Sequence, residues 1–248
     1  MDKAVSSACI RHAAQEGLLA LFPHKCAFCG RVCSENLVFP GICRICLAGI
    51  PFRTQHQAVI KWPDTDDKTN AGESSIRCAT WYQEPIRSAI LRLKFADAPD
   101  VAEALASVLI QCWRNCGLDC RAVIAVPLHD DRLRERGYNQ AALLAERVAK
   151  QLDRPDWSGC LVREKKTERQ SSISDPISRR INMAGAFRLA KGASGFFSNC
   201  SRQMARPVLL IDDILTTGVT LTEAAQPLRE IGLPVCGLIV SSAHQAVN

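Results

Sequence analysis

Two groups of residues have types and spacing that could do chemistry. Cys26-x2-Cys29 and Cys43-x2-Cys46 are paired knuckles separated by a short stretch of chain. Each can present two thiolates to one tetrahedral ion, and together they have the spacing of a closed four-sulfur zinc site. Gly30 and Gly41 lie beside the knuckles, where tight turns need a permissive backbone. A reduced set of buried thiols or a redox CxxC is the competing reading, and Cys33 stands either as a spare thiol or as a replacement for one of the four. The second group is VLLIDDILTTGVTL, residues 208–221. An apolar strand ends in two carboxylates, Asp212 and Asp213, then passes through Thr216, Thr217, Gly218, Val219 and Thr220 into a helix. Hydroxyls and free N–H groups at a helix start suit a phosphate. The acids just upstream can accept hydrogen bonds from sugar hydroxyls and help hold Mg2+. Two adjacent carboxylates repel without a cation or a hydroxyl nearby, so a ligand is their expected partner. The bland alternative is that Asp213 or Thr216 caps the helix.

The elements that must position these groups follow from the apolar pattern. Strands are expected at Ile76–Tyr82, Ala122–Val126, Leu161–Val162, Val208–Ile211 and Val235–Val240. Helices are expected at Pro85–Phe95, Val101–Trp113, Asn139–Leu152 and Leu221–Ile231, with Pro227 kinking or shortening the last. Alternation of strands with helices of ten or more residues argues for an α/β fold with a parallel sheet covered on both faces. Residues 1–52 read as an N-terminal segment carrying the zinc ribbon, the polar stretch 53–75 as a linker or loop, and 76–248 as the main domain. Glu164–Pro176 reads as a long polar loop.

Composition bounds the function. The 248 residues are 47% hydrophobic and 23% charged, so the chain is globular. No apolar run approaches the roughly 18 residues of a membrane-spanning helix, and Arg11, His12, Gln15 and Glu16 interrupt the N-terminal apolar residues, which points to a cytoplasmic protein. Thirteen cysteines without a signal peptide favour metal or buried thiols over disulfides. Cys112, Cys116 and Cys120, spaced four apart, are a weaker metal candidate because Gly117 interrupts their helix. The net charge of +6 permits a phosphate-bearing partner.

Four segments in order carry a resemblance: LRLKFAD at 91–97, VPLHDDRLRERGYNQ at 126–140, RxxxTxxQSSxxxxxRRxN at 163–182, and DDILTTGVT at 212–220. The last looks like the phosphoribosyl pyrophosphate (PRPP) loop of type I phosphoribosyltransferases. Together with the preceding CxxC module, the set resembles the ComF family, bacterial proteins associated with competence and DNA uptake. The resemblance implies a type I phosphoribosyltransferase-like domain behind a zinc ribbon. It implies that Asp212 and Asp213 bind ribose hydroxyls and that Thr216–Thr220 bind the 5′-phosphate. Arg132 and Arg136 would lie near the pyrophosphate loop, and residues 163–182 would close over PRPP. Arg forks suit a multiply charged anion, whereas a solvated charge run at Arg132, Arg134 and Arg136 is the alternative; Arg134 is expected to face solvent. Asp130 and Asp131 place negative charge in a loop that should attract an anion. No segment identifies a nucleobase pocket or a general base. The implied activity is phosphoribosyl transfer with Mg2+ to an unidentified acceptor. The rival is a non-catalytic PRPP- or nucleotide-binding adaptor contacting single-stranded DNA and a competence helicase.

Overall fold

The computed structural model describes residues 25–33, 39–63, 75–95, 99–117, 119–164, 183–197 and 206–242. Among them, α1 (Arg44–Ala48), β1 (Val59–Ile60), β2 (Ile76–Trp81), α2 (Ile86–Phe95) and α3 (Pro99–Cys116) come first. They are followed by β3 (Val123–Ala125), α4 (Asp130–Arg136), α5 (Gln140–Leu152), β4 (Leu161–Arg163) and β5 (Phe187–Leu189). The short α6 (Ser194–Phe197), then β6 (Val208–Leu215), α7 (Val219–Glu230) and β7 (Val235–Ser242) complete the order. The central sheet has the order β1-β2-β7-β6-β3 and is parallel except for β1, which pairs antiparallel at the edge.

The period-two alternation of a strand distributes its side chains to two cores. Leu209 and Ile211 of β6, with Cys236, Leu238 and Val240 of β7, join the core under α3 and α5. Val208 and Leu210, with Val235 and Ile239, join the core under α7. Helices thus cover both faces of a mostly parallel sheet, as the alternating pattern requires.

Several expectations need revision. β6 does not stop at Ile211 but runs to Leu215, because β7 pairs with it as far as Leu215↔Ser242. On its other side β3 pairs only to Ile211↔Ala125. Residues 212–215 therefore form a strand with one open edge. The segment 130–136, read as a loop, is a helix: His129 caps it through Nδ1, Asp130 and Asp131 complement its N-terminal dipole, and Gly137 closes it at φ 79°. The helix α7 runs through Pro227, which is buried and has less than one turn of helix after it. The strand β5 gave no sequence signal because it is three residues long and follows a polar stretch.

The polar stretch 53–75 is, in its first part, built into the fold. β1 adds an edge to β2, Ala58 and Trp62 are buried, and the buried Arg53 donates to the carbonyls of Thr80, Gln57 and Ser242 while its guanidinium lies 3.6 Å from the Trp81 ring centroid. Residues 64–74 lie outside the described residues. The cysteine module is likewise docked: Ala27, Phe28 and Ile42 are buried in the core shared with α2 and α3, and Arg92 of α2 donates to the Ala27 carbonyl.

Candidate functional site

Two sites emerge. In the cysteine module the Sγ atoms of Cys26, Cys29, Cys43 and Cys46 all lie within 4.8 Å of one another. A tetrahedral zinc with Zn–S of about 2.3 Å spaces its sulfurs by about 3.8 Å, and Cys29 and Cys43 stand 3.9 Å apart. The backbone builds the cage. Ala27 N–H donates to the Gly41 carbonyl (2.8 Å), tying the two knuckles together, while Cys43 N–H donates to Cys26 Sγ and Cys46 N–H to Cys43 Sγ. Burial opposes ionisation of Cys26, yet N–H groups of Cys43, Cys29 and Phe28 bring its pKa down to about 7. The four residues fit a structural zinc. Cys33 stands outside the set, its thiol donating to the Arg31 carbonyl (3.5 Å), so the spare-thiol reading holds geometrically. Among the described residues Cys112, Cys116 and Cys120 form no second cluster of this kind.

The other site is a cavity of about 300 Å³ where the open edge of β6 meets α4, α5 and the end of α2. Asp212, Asp213, Thr216, Gly218 and Thr220 line it from one side. Arg132, Arg136, Asn139 and Gln140 face it from the other, with Lys94 and Arg163 contributing from α2 and β4. Thr217 and Val219 belong to the same turn but are not part of the wall. Arg134 points to solvent with its side chain 75% exposed and pairs with Asp131. Neither Asp130 nor Asp131 lines the cavity, so the acidic residues expected to repel an anion do not face it.

The local sequence explains each placement. After β6, Gly218 takes φ 77° as the N-cap of α7, and no side chain caps that helix, so neither Asp213 nor Thr216 has the capping role. A Cβ on Gly218 would meet Pro63 Cγ at 2.9 Å. This position therefore demands glycine for both conformation and space. On the opposite wall, Asn139 caps α5 by accepting from Ala141 N–H and uses its Nδ2 to donate to the Val126 carbonyl (3.0 Å), which clips the Gly137–Gln140 turn to the end of β3. The Tyr138 hydroxyl donates to the Leu93 carbonyl (2.5 Å), tying the same turn to α2.

The electrostatics are polarised. Asp213 does not wait for a ligand: Lys94 Nζ lies 2.8 Å from its Oδ2. A cation for the carboxylate pair is thus supplied within the chain, and the lysine that supplies it sits in the LRLKFAD segment, whose role the sequence did not reveal. Asp212 accepts the Asp213 N–H (2.8 Å). Burial and the neighbouring Asp213 charge push its carboxyl up to about 7, against the opposing pull of Lys94 and Arg163. Burial, then the Arg132 cation, lower the pKa of Arg163. Arg136 donates to Gln140 Oε1 (2.9 Å) and lies over the Phe95 ring. Gln140 is buried, and its Nε2 finds no hydrogen-bond partner at the cavity wall. Four cations and an unsatisfied amide donor therefore surround the carboxylates. Of the 163–182 motif only Arg163 and Glu164 fall within the described residues.

Comparison with known proteins agrees in one direction. The chain is 35% identical over 157 residues to Competence protein F of Haemophilus influenzae, covering 61% of this chain and 65% of that protein. It is 28% identical over 211 residues to DNA utilization protein YhgH of Salmonella typhimurium, covering 77% and 86%. It is 31% identical over 159 residues to Competence protein ComFC of Bacillus subtilis, covering 61% and 56%. These relatives support the resemblance to the ComF family. The matched stretch spans less than two thirds of the Haemophilus and Bacillus relatives, and no family model matches the chain. The names of these relatives speak of competence and DNA utilisation. Among the described residues no helix is long and apolar enough to cross a membrane.

Proposed function

We propose that the cavity binds PRPP, or a closely related phosphorylated ribose, on a type I phosphoribosyltransferase-like domain. The observation that carries the reading is the meeting of three features at one strand edge: the Asp212–Asp213 pair, the Thr216–Thr220 turn at the start of α7, and the cations Arg132, Arg136 and Arg163. Ligands of parallel α/β sheets bind outside the carboxyl ends of the strands. In this reading Asp212 accepts from a ribose hydroxyl, with Asp213 and Lys94 holding it in place. The N–H groups and hydroxyls of 216–220 take the 5′-phosphate. The Arg side chains and Gln140 Nε2 take the pyrophosphate.

Mg2+ is commonly held by one or two carboxylates together with substrate phosphates. Asp212 supplies such a carboxylate, whereas Asp213 is engaged by Lys94. When bound, the metal would neutralise charge on the pyrophosphate. The chain's own contribution to transfer would be to orient the ribose through Asp212 and to stabilise the leaving pyrophosphate through Arg132 and Arg136. The cysteine module would hold a structural zinc, and with four sulfur ligands such a site has no open position for catalysis.

A second reading has its own support. Competence and DNA-utilisation names attach to the relatives, so the same pocket on a non-catalytic adaptor that contacts single-stranded DNA and a competence helicase remains in competition. Thermal unfolding with PRPP and Mg2+ tests the shared premise: stabilisation is expected, and its absence at millimolar ligand removes both PRPP readings. Pyrophosphate release with nitrogen acceptors separates them, since turnover is expected only of the transferase.

A further inference from the structure

Cysteines outside the zinc-binding module converge on a second cavity. Cys112 and Cys116, one helical turn apart near the end of α3, form part of the wall of a space of about 310 Å³. Its other walls include Phe39 and Leu47 of the cysteine module and Phe52, Arg53 and Gln55 of the following segment. The space is mostly apolar, with amides at its border: Gln55 Nε2 donates to the Asn115 carbonyl and Gln111 Nε2 to Asn115 Oδ1. Cys112 is buried, whereas Cys116 is partly exposed and folds back so that its thiol donates to the Cys112 carbonyl (3.2 Å). The sheet behind carries further groups. The Arg77 cation on β2 acts on Cys112, Cys116 and Cys236 of β7. Arg53 acts on Cys78 and Cys112.

We propose that Cys116 is a thiol–disulfide exchange site that takes a low-molecular-weight disulfide, the attached group occupying the adjoining cavity. The step is balanced. The Cys116 thiolate attacks one sulfur of the incoming disulfide, the old S–S bond breaks as the new one forms, and the departing thiolate takes a proton from water. The incoming disulfide is the oxidant. Residues four apart on an intact helix have Cβ atoms about 5–6 Å apart, whereas a disulfide needs about 3.5–4.5 Å. Cys112 therefore cannot displace the attached group by closing a bond to Cys116, and the adduct persists until an external thiol removes it. The cavity is of the size of a small-ligand pocket. The titration of the pair agrees in direction: the neighbouring Cys112 side chain brings Cys116 down to about 7 against the cost of burial, with help from Arg77, while Cys112 is pushed up.

The experiment uses the full chain with its metal retained. It is incubated with glutathione disulfide between pH 6 and 9 and quenched in acid, and adducts are sited by fragmentation mass spectrometry, which separates Cys116 from Cys120. The expected result is an adduct at Cys116 whose rate rises through a midpoint near the value of about 7. Cys112→Ala should slow it about fivefold or more at pH 7 as the thiolate fraction falls. Cys116→Ser should remove it with the unfolding midpoint unchanged. A midpoint at about 8.5, the value of an unperturbed thiol, or no adduct at Cys116, would overturn the proposal. The wild-type pH profile decides it even if Cys112→Ala fails to fold, and Cys112→Ser offers a closer replacement. The outcome is independent of whether PRPP binds.

Discussion

Replacing Asp212 by Asn should stabilise the unliganded protein, and by an amount that depends on pH. The Asp212 carboxyl rises from 3.8 to about 7 in the folded state through burial and the adjacent Asp213 charge. Between those values the folded protein holds a proton that the unfolded chain has lost, so stability falls as pH rises through the window, the reverse of an ordinary ion-paired carboxylate. At 1.36 kcal/mol for each pH unit, the ionised side chain carries a penalty of roughly 4 kcal/mol above pH 7 and less than half of that at pH 5. Asn keeps the size and the acceptor for the Asp213 N–H but has no charge to desolvate. The assay is urea unfolding of wild type and Asp212→Asn at pH 5 and pH 8, each pair compared at the same pH so that the thiols of the cysteine module cancel. The variant should be the more stable at pH 8, with its advantage shrinking towards pH 5. A destabilised variant at pH 8, or an advantage of equal size at both, would refute the reasoning. The same substitution is expected to weaken ligand binding, as when a site carries strain that its ligand relieves.

Elemental analysis of protein purified without added metal should find about one zinc per chain, and Cys26→Ser or Cys43→Ser should lose it and destabilise the module, whereas Cys33→Ser should keep it. Gly218→Ala should lower stability by about 1–2 kcal/mol from the left-handed backbone alone, read by urea unfolding, and more if Pro63 cannot retreat from the added methyl; unchanged stability would mean that the turn adapts. Titration with pyrophosphate and Mg2+ should show that Arg136→Ala weakens affinity about tenfold or more, as expected for loss of a hydrogen bond to a charged group, while Arg134→Ala changes it little. Equal losses would favour a diffuse charge effect over contact.

The parallel sheet was legible because VLLI and VCGLIV are apolar on both faces and the intervening helices keep their period. The four-cysteine cluster was legible because two identical spacings recur. The length of β6 was not: polar Asp212 and Asp213 look like the end of a strand, yet backbone pairing to β7 carries the strand through them. The helix α4 was hidden because HDDRLRER has no apolar stripe, although His129, the acids of its first turn and Gly137 are end signals that could have revealed it. The Lys94–Asp213 pair joins residues more than a hundred positions apart, which local pattern cannot report. The packing of Pro63 on Gly218 was hidden for the same reason, since nothing in a polar, Pro-containing stretch indicates the turn that it covers.

The most direct test of the cavity's role is isothermal titration of the full chain with PRPP in the presence of Mg2+, run beside Asp212→Asn. Saturable binding of one PRPP per chain is expected for wild type, with at least a tenfold loss, about 1.4 kcal/mol, in the variant. No binding by wild type, or equal affinity in the two proteins, would contradict the assignment of the Asp212 edge as the ribose-binding site.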